Sequence, residues 1–195
     1  MDALAAIASR RSTGRLGPPA PSGEHLDSIL QAGASAPDHG ELRPFRFILL
    51  HGPGKDAFGE VLAAAYDARC AAARQAPVGA KREKERTKLG RSPLVIVVTV
   101  ERQPSDKIPW EEQQAAGAAA CENILLAATA LGYGSMWRTG EPTYDRMVKQ
   151  ALGLGPDDAV AGWLYLGSFI PGTPRATRQP TTEGLVSEWA PPAAG

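Results

Sequence analysis

Net charge, cysteine, histidine and long apolar runs are all scarce in this chain. Its 195 residues carry 21 Lys+Arg against 21 Asp+Glu, a formal net charge of zero. Nucleic-acid binding draws on a basic surface that displaces counterions, so no nucleic-acid partner is expected. The two cysteines, Cys70 and Cys121, lie far apart and form no C-x-x-C pair, which excludes a disulfide framework. Cys121 sits on an apolar helix face and reads as core, with a Cys–His nucleophile pair left open. The three histidines, His25, His39 and His51, lack metal-ligand spacing, and no metal site is expected. No apolar run approaches the ~20 residues needed to span a bilayer, so no membrane partner is expected. Walker A, H-E-x-x-H, G-x-S-x-G and EF-hand patterns are missing too. The start, MDALAAIASRRSTGRL, has no apolar region of the signal-peptide kind ahead of its arginines. A folded helix suits it better than a targeting segment, and the expected location is cytoplasmic.

What is present suits one folded unit spanning residues 1–195. Hydrophobic residues make up 43% of the chain, enough for a core. The 21 glycines and 17 prolines stay below the roughly 25–30% that marks disorder. Residues 2–10 read as a short helix with Leu4, Ile7 and Ala8 on one side. Ser22 is placed to cap a second helix, with Glu24 in its positive first turn and Leu26, Ile29, Leu30 and Gly33 at helical spacing. Residues 37–44 read as a polar loop, and FRFILLH, Phe45–His51, as a strand. Phe58, Val61, Leu62 and Ala65 predict an amphipathic helix over 55–68. KREKERTK at 81–88 reads as solvated, either an exposed helix or a mobile insertion. LVIVVTV, Leu94–Val100, is β-branched at most positions, as a strand covered on both faces would be. An Ala-rich helix is predicted over 111–131, stopped by Gly132. One face of it carries Gln114, Gly117, Ala118, Cys121 and Leu125, small enough for deep core or for a subunit contact. A short strand at 133–137, a helix at 143–152 ended by Gly153, and a strand at 160–169 complete an α+β order with no opening βαβ unit. Beyond Pro171 the apolar Leu185, Val186 and Trp189 suggest an arm, 171–195, that lies on something.

Four segments can carry chemistry. Gly52-Pro-Gly54-Lys-Asp-Ala57 matches G-x-G-x-x-A between a strand and a helix, but the next strand comes too late for a dinucleotide unit, and a turn with a helix start is the better reading. Arg10-Arg11-Ser12-Thr13-Gly14-Arg15 offers two readings. It either terminates the first helix, with cations at the negative end and Gly14 making the turn, or cradles a phosphate. Ala36-Pro37-Asp38-His39 is a loop running on to Leu42-Arg43-Pro44-Phe45. Trp137-Arg138-Thr139-Gly140 is either a strand end with a packed Trp or a turn facing a planar ligand.

Together, RRS near residue 10, PAPSGEHLDSILQAG, APDH with RPFRF, the small-residue helix, GYGSMWRTG and VAGWLYLG resemble the FMN-dependent nitroreductase family. The chain is most similar to its short NAD(P)H nitroreductase branch. The match runs in order over about residues 2–169. The resemblance implies a nitroreductase-like mixed sheet flanked by helices, an intertwined homodimer with FMN at the interface, and residues 171–195 packing on the partner subunit. It assigns Arg10, Arg11 and Ser12 to the ribityl phosphate and ring edge. Ser35 and His39 match loop positions that reach the flavin across the subunit boundary, Arg43 a flavin-edge position, and Trp137, Arg138 and Thr139 the third flavin-contacting loop. Ala127, Ala128, Thr129, Ala130, Leu131 and Gly132 match a nicotinamide-nucleotide contact. Three departures stand out: Gly14 where many members carry a cation, Arg43 in place of a glutamine, and Ser35 where the branch can carry arginine.

The implied activity is that of an oxidoreductase. NADH or NADPH would reduce the flavin, and a nitroaromatic, quinone or similar small acceptor would reoxidise it in ping-pong turnover, with no catalytic side chain needed beyond flavin N5. Arg10, Arg138 and a backbone N–H near Thr139–Gly140 would favour the reduced, anionic ring. The alternatives are a non-catalytic FMN carrier or sensor, and a flavin oxidase or dehydrogenase of another small molecule on the same fold. The basic stretch at 81–91 either covers the pocket and attracts a nucleotide phosphate or is an ordinary solvated helix.

Overall fold

Leu94–Val100 forms the strand β2, and all seven of its residues are buried. That is what its run of branched side chains requires: a strand with two dry faces has no place for alternating polar residues. The computed structural model describes residues 1–173 and 180–191. In it β2 is flanked by β1 (Phe45–His51) and β4 (Ala159–Gly167), with β3 (Gly134–Arg138) outside β4, in the order β1-β2-β4-β3. All three strand pairings are antiparallel. The parallel component of the expected mixed sheet is confined to one bridge, Ser12 to Ser135.

Alternation along β2 and β4 divides the core. Val95, Val97, Trp163 and Tyr165 point to one face, where they meet Phe58, Leu62 and Ala65 of α3 (Gly52–Ala72) and Val148 of α7 (Arg146–Ala151). Leu94, Ile96, Val98, Leu164 and Leu166 point to the other, against Ile29 of α2 (Gly23–Ala34) and Ala120, Cys121, Ile124, Leu125 and Ala128 of α5 (Trp110–Ala130). Each of these large side chains, once buried, contributes about 1.5–3 kcal/mol. Gly33 brings α2 onto α5: a Cβ there would lie 2.8 Å from Ile124 Cγ1 and 2.9 Å from Phe47 Cζ.

The small-residue face of α5 splits. Gly117, Cys121 and Leu125 enter the core, whereas Gln114 is exposed and Ala118 only half-buried. The buried glutamine is the preceding residue. Gln113 accepts the Gln103 N–H at 2.8 Å and donates to the Gln103 carbonyl at 3.0 Å, which satisfies its amide inside the fold.

Other elements depart from expectation for local reasons. α1 (Ala3–Ser9) buries Ala6, while Leu4 and Ile7, expected on a packed side, stay exposed. α3 begins at Gly52 instead of residue 55, with Pro53 in its first turn, so the glycine-rich match is the turn and helix start. The helix expected over 143–152 is two, α6 (Glu141–Tyr144) and α7, because Asp145 adopts an extended conformation and its carboxylate accepts the N–H groups of Met147 and Val148. Gly14 does not take the left-handed conformation of a turn. The first helix ends on extended Arg10 instead. The charged stretch forms α4 (Gly79–Thr87), tied to α3 through Arg82–Asp67 at 2.8 Å. No helix among the described residues is long and apolar enough to cross a membrane.

Residues 12–17 run along the outer side of β3 and the end of β4. Thr13 N–H donates to the Ser135 carbonyl at 2.9 Å, and Gly17 and Ser168 exchange bonds of 2.9 and 2.8 Å. These bonds fix where the arginines that precede them begin.

Candidate functional site

α1 is capped at its start by Asp2, whose Oδ1 accepts the Ala5 N–H at 2.9 Å. At its end Arg11 donates Nη1 to the carbonyls of Ala8, at 2.6 Å, and Arg10, at 2.8 Å. The helix-terminating reading of this arginine is therefore realised. Arg10 turns the other way, to α5, where Nε lies 3.4 Å from Glu122 Oε1. Ser12 is exposed, and its hydroxyl bonds to no described residue. It bridges Ser135, two residues before Trp137 on β3. The first arginine segment and the tryptophan strand are thus neighbours along one sheet edge.

Strand alternation then separates Trp137 from Arg138. The indole lies over β4 on the α5 side, where a Cβ on Gly162 would collide with it, and Nε1 donates to the Ala161 carbonyl at 3.1 Å. Arg138 points to the α3 side. Its Nε lies 2.8 Å from Met136 Sδ, and it pairs in register with Trp163. Gly140, at φ 113°, makes the turn that follows, a conformation few other residues adopt. Arg138 and Thr139 border a cavity of about 230 Å³ with Lys84, Lys88, Arg91 and Tyr165.

Ser35, His39 and Arg43 gather where α2 ends. The Ser35 hydroxyl donates to the Gln31 carbonyl at 2.9 Å. His39 Nδ1 lies 2.6 Å from Glu112 Oε2 in the first turn of α5, and both side chains are about half exposed. Arg43 sits at φ 49°, held by its N–H donating to Asp38 Oδ2 at 2.6 Å. None of the three borders the cavity at Arg138.

The stretch from Ala127 to Gly132 closes α5. Ala128 is fully buried and offers no surface to a ligand, Leu131 packs on the core, and Ala127 and Ala130 border a groove shared with Ala3 and Ala6. Thr129 and Gly132 border a second cavity of about 230 Å³ together with Arg11 and Tyr133.

Burial pushes the Cys121 thiol up to about 12, helped by the nearby Glu122 carboxylate. A thiol so held, on a side chain with no exposure, stays protonated at neutral pH. Burial likewise pushes the Tyr165 hydroxyl up to about 12, against an opposing pull from Arg138 and Arg91.

Sequence reasoning missed the cavity side of Arg138. Trp163 and Tyr165 alternate along β4, and antiparallel pairing sets them beside Arg138 and Met136. The period of two in VAGWLYLG carried that signal. The basic run at 81–91 left its place open in sequence, and the tertiary fold brings Lys84, Lys88 and Arg91 to this cavity.

The description "Nitroreductase family" fits residues 7–168 of this chain. The Escherichia coli K12 protein named "Putative NAD(P)H nitroreductase YdjA" is 38% identical over 175 residues, which cover 86% of this chain and 88% of that one. A Haemophilus influenzae relative named "Putative NAD(P)H nitroreductase" is 29% identical, over 96% of this chain and 99% of its own. Among solved structures, a nitroreductase-like family protein from Bacillus cereus superposes with TM-score 0.77 at 23% identity, covering 97% of both chains. A nitroreductase from Desulfovibrio desulfuricans crystallised in complex with FMN gives 0.71 at 25% identity, over 98% of this chain and 99% of that one.

Proposed function

This chain belongs to the nitroreductase family, and from that premise we propose that it is an FMN-dependent oxidoreductase acting as a cytoplasmic homodimer. It draws electrons from NADH or NADPH and delivers them in ping-pong turnover to nitroaromatics, quinones or similar small acceptors. The observation that carries this reading is the adjacency of Arg10–Ser12 to the strand bearing Trp137 and Arg138.

The donor set suits the cofactor. Arg10 and the exposed Ser12 hydroxyl suit a phosphate, and the exposed turn 138–140 that follows the Trp137 strand suits the polar edge of a flat ring. Bound FMN would supply the hydride chemistry. The chain's part is to hold and polarise. Arg10, Arg11 and Ser12 bind the phosphate end. Arg138, with the N–H groups of Thr139 and Gly140, supplies positive potential to the ring edge. In comparable sites loss of one such donor costs roughly 2.7–4 kcal/mol. Ser35, His39 and Arg43 do not border the Arg138 cavity, and in this reading they complete the site of the other chain. Leu4 and Ile7 on α1, and Leu185, Val186 and Trp189 in the C-terminal arm, are 56–85% exposed in one chain. They favour an apolar contact with a second copy. Of the expected arm, 174–179 and 192–195 lie outside the described residues.

The test is optical. Protein loaded with FMN is expected to retain flavin absorbance through gel filtration, to bleach on anaerobic addition of NADH or NADPH, and to recover with a nitroaromatic or quinone. Retention without bleaching would favour the carrier reading, and no retention would end both.

A further inference from the structure

The cavity of about 230 Å³ beside Arg138 has a charge balance that the core around it does not explain. Four cations border it: Lys84, Lys88, Arg91 and Arg138. One carboxylate, Glu85, answers them, and it is spent on Lys88 at 2.5 Å. Lys84, Arg91 and Arg138 have no carboxylate partner among the described residues. Like charges gathered beside a low-dielectric wall repel one another unless an anion joins them.

The wall is Leu62, Leu89, Pro142 and Trp163, and within it stands Tyr165, 5% exposed, whose hydroxyl bonds to no described residue. The side chain is buried, and as part of the lining it leaves its hydroxyl to be met from the cavity. With its proton held to about pH 12, this one is a donor throughout the neutral range. The cavity is smaller than the ~300–1,000 Å³ of sites that enclose whole ligands, so it fits one end of a larger molecule. Three unpaired cations and a neutral donor exceed what one carboxylate needs and suit a phosphate monoester, which carries about −1.5 to −2 at pH 7.

We propose that this cavity is a phosphate-monoester subsite that selects NADPH over NADH as electron donor, by seating the monoester phosphate that only NADPH carries. Lys84 and Arg91 bind the phosphate from the α4 side and the Tyr165 hydroxyl donates from the floor, while Arg138, committed to the flavin edge, adds its charge from the rim without ligating the phosphate. The donor preference rests on the function proposed above. The phosphate site itself does not.

Calorimetry with adenosine 2′-monophosphate and with adenosine, on protein with and without FMN, tests the site. Steady-state kinetics test its use. The monophosphate is expected to bind the FMN-loaded protein at least tenfold more tightly than adenosine, and Tyr165→Phe and Lys84→Gln/Arg91→Gln are each expected to erode that margin. The double variant should lower kcat/KM for NADPH about tenfold more than for NADH, and Lys84→Arg should retain the wild-type ratio. Equal binding of the two probes, or an unchanged ratio in a double variant that melts like wild type, would overturn the proposal. So would monophosphate binding that disappears on FMN loading, because the cavity would then be the flavin's own phosphate site. If the chain takes up no FMN, the oxidoreductase reading falls, while probe binding to the chain still decides the subsite.

Discussion

Arg10 and Arg11 are adjacent in sequence and do different work. Arg11 folds back on the carbonyls that end α1, while Arg10 reaches α5 and remains near the exposed Ser12. Replacing Arg10 with Ala should therefore weaken FMN binding with little loss of stability. A charge-assisted bond of about 1.5–3 kcal/mol corresponds to roughly 10- to 150-fold, measurable by flavin fluorescence titration. Gly162→Ala is the opposite kind of change. Its methyl would strike the Trp137 indole, and overpacking of about 1–3 kcal/mol should appear as a lowered melting temperature. Cys121 adds a pH dependence. Its folded value of about 12 stands above the ordinary 9.0, so the folded chain holds a proton that the unfolded chain releases. This contribution is complete below pH 9.0 and is lost as pH rises toward 12, at up to about 1.4 kcal/mol per unit. Urea midpoints should fall more steeply above pH 9.0 in wild type than in Cys121→Ala. The residue types at the site were legible: RRS and WRTG stand on one edge, as their chemistry suggested. The side chains they face were not, because Glu122, Met136 and Ala161 meet them only through the tertiary fold.

Where an element's burial repeats along the chain, its sequence could be read directly. β1 and β2 begin and end where FRFILLH and LVIVVTV do, since alternation or continuous branching defines them completely. The helix after β3 was different. Its apolar spacing continues through Asp145, and only the carboxylate's choice of the Met147 and Val148 N–H groups, with Arg69 of α3 paired to it, divides α6 from α7. Asp145→Ala should cost about 2–4 kcal/mol, adding a lost cap to an arginine left with only the longer, more exposed pair to Glu141, and denaturant unfolding measures it. For α4 the composition left two readings open, a solvated helix or a basic cover over the pocket. Half of its character is the first, but Lys84, Glu85 and the following Lys88 turn toward a cavity that the chain assembles from four separate segments.

For the whole molecule the question is what covers α1 and the C-terminal arm. Leu4 and Trp189, at 77% and 85% exposure, are large apolar side chains facing water in a single chain. Leu185→Asp combined with Trp189→Asp is expected to shift the protein toward monomer in analytical ultracentrifugation and to loosen its flavin. On the proposed reading a second copy gives Ser35 and His39, which do not border the Arg138 cavity, their role: each half of the site would belong to a different chain. The most direct measurement mixes two variants, Arg10→Ala and His39→Ala, unfolded together and refolded with FMN. If one chain supplies the arginine segment and the other the histidine loop, mixed dimers contain an intact site, and NADPH-dependent bleaching should exceed that of either variant refolded alone. A mixture no more active than the average of the two would contradict a flavin site shared between chains.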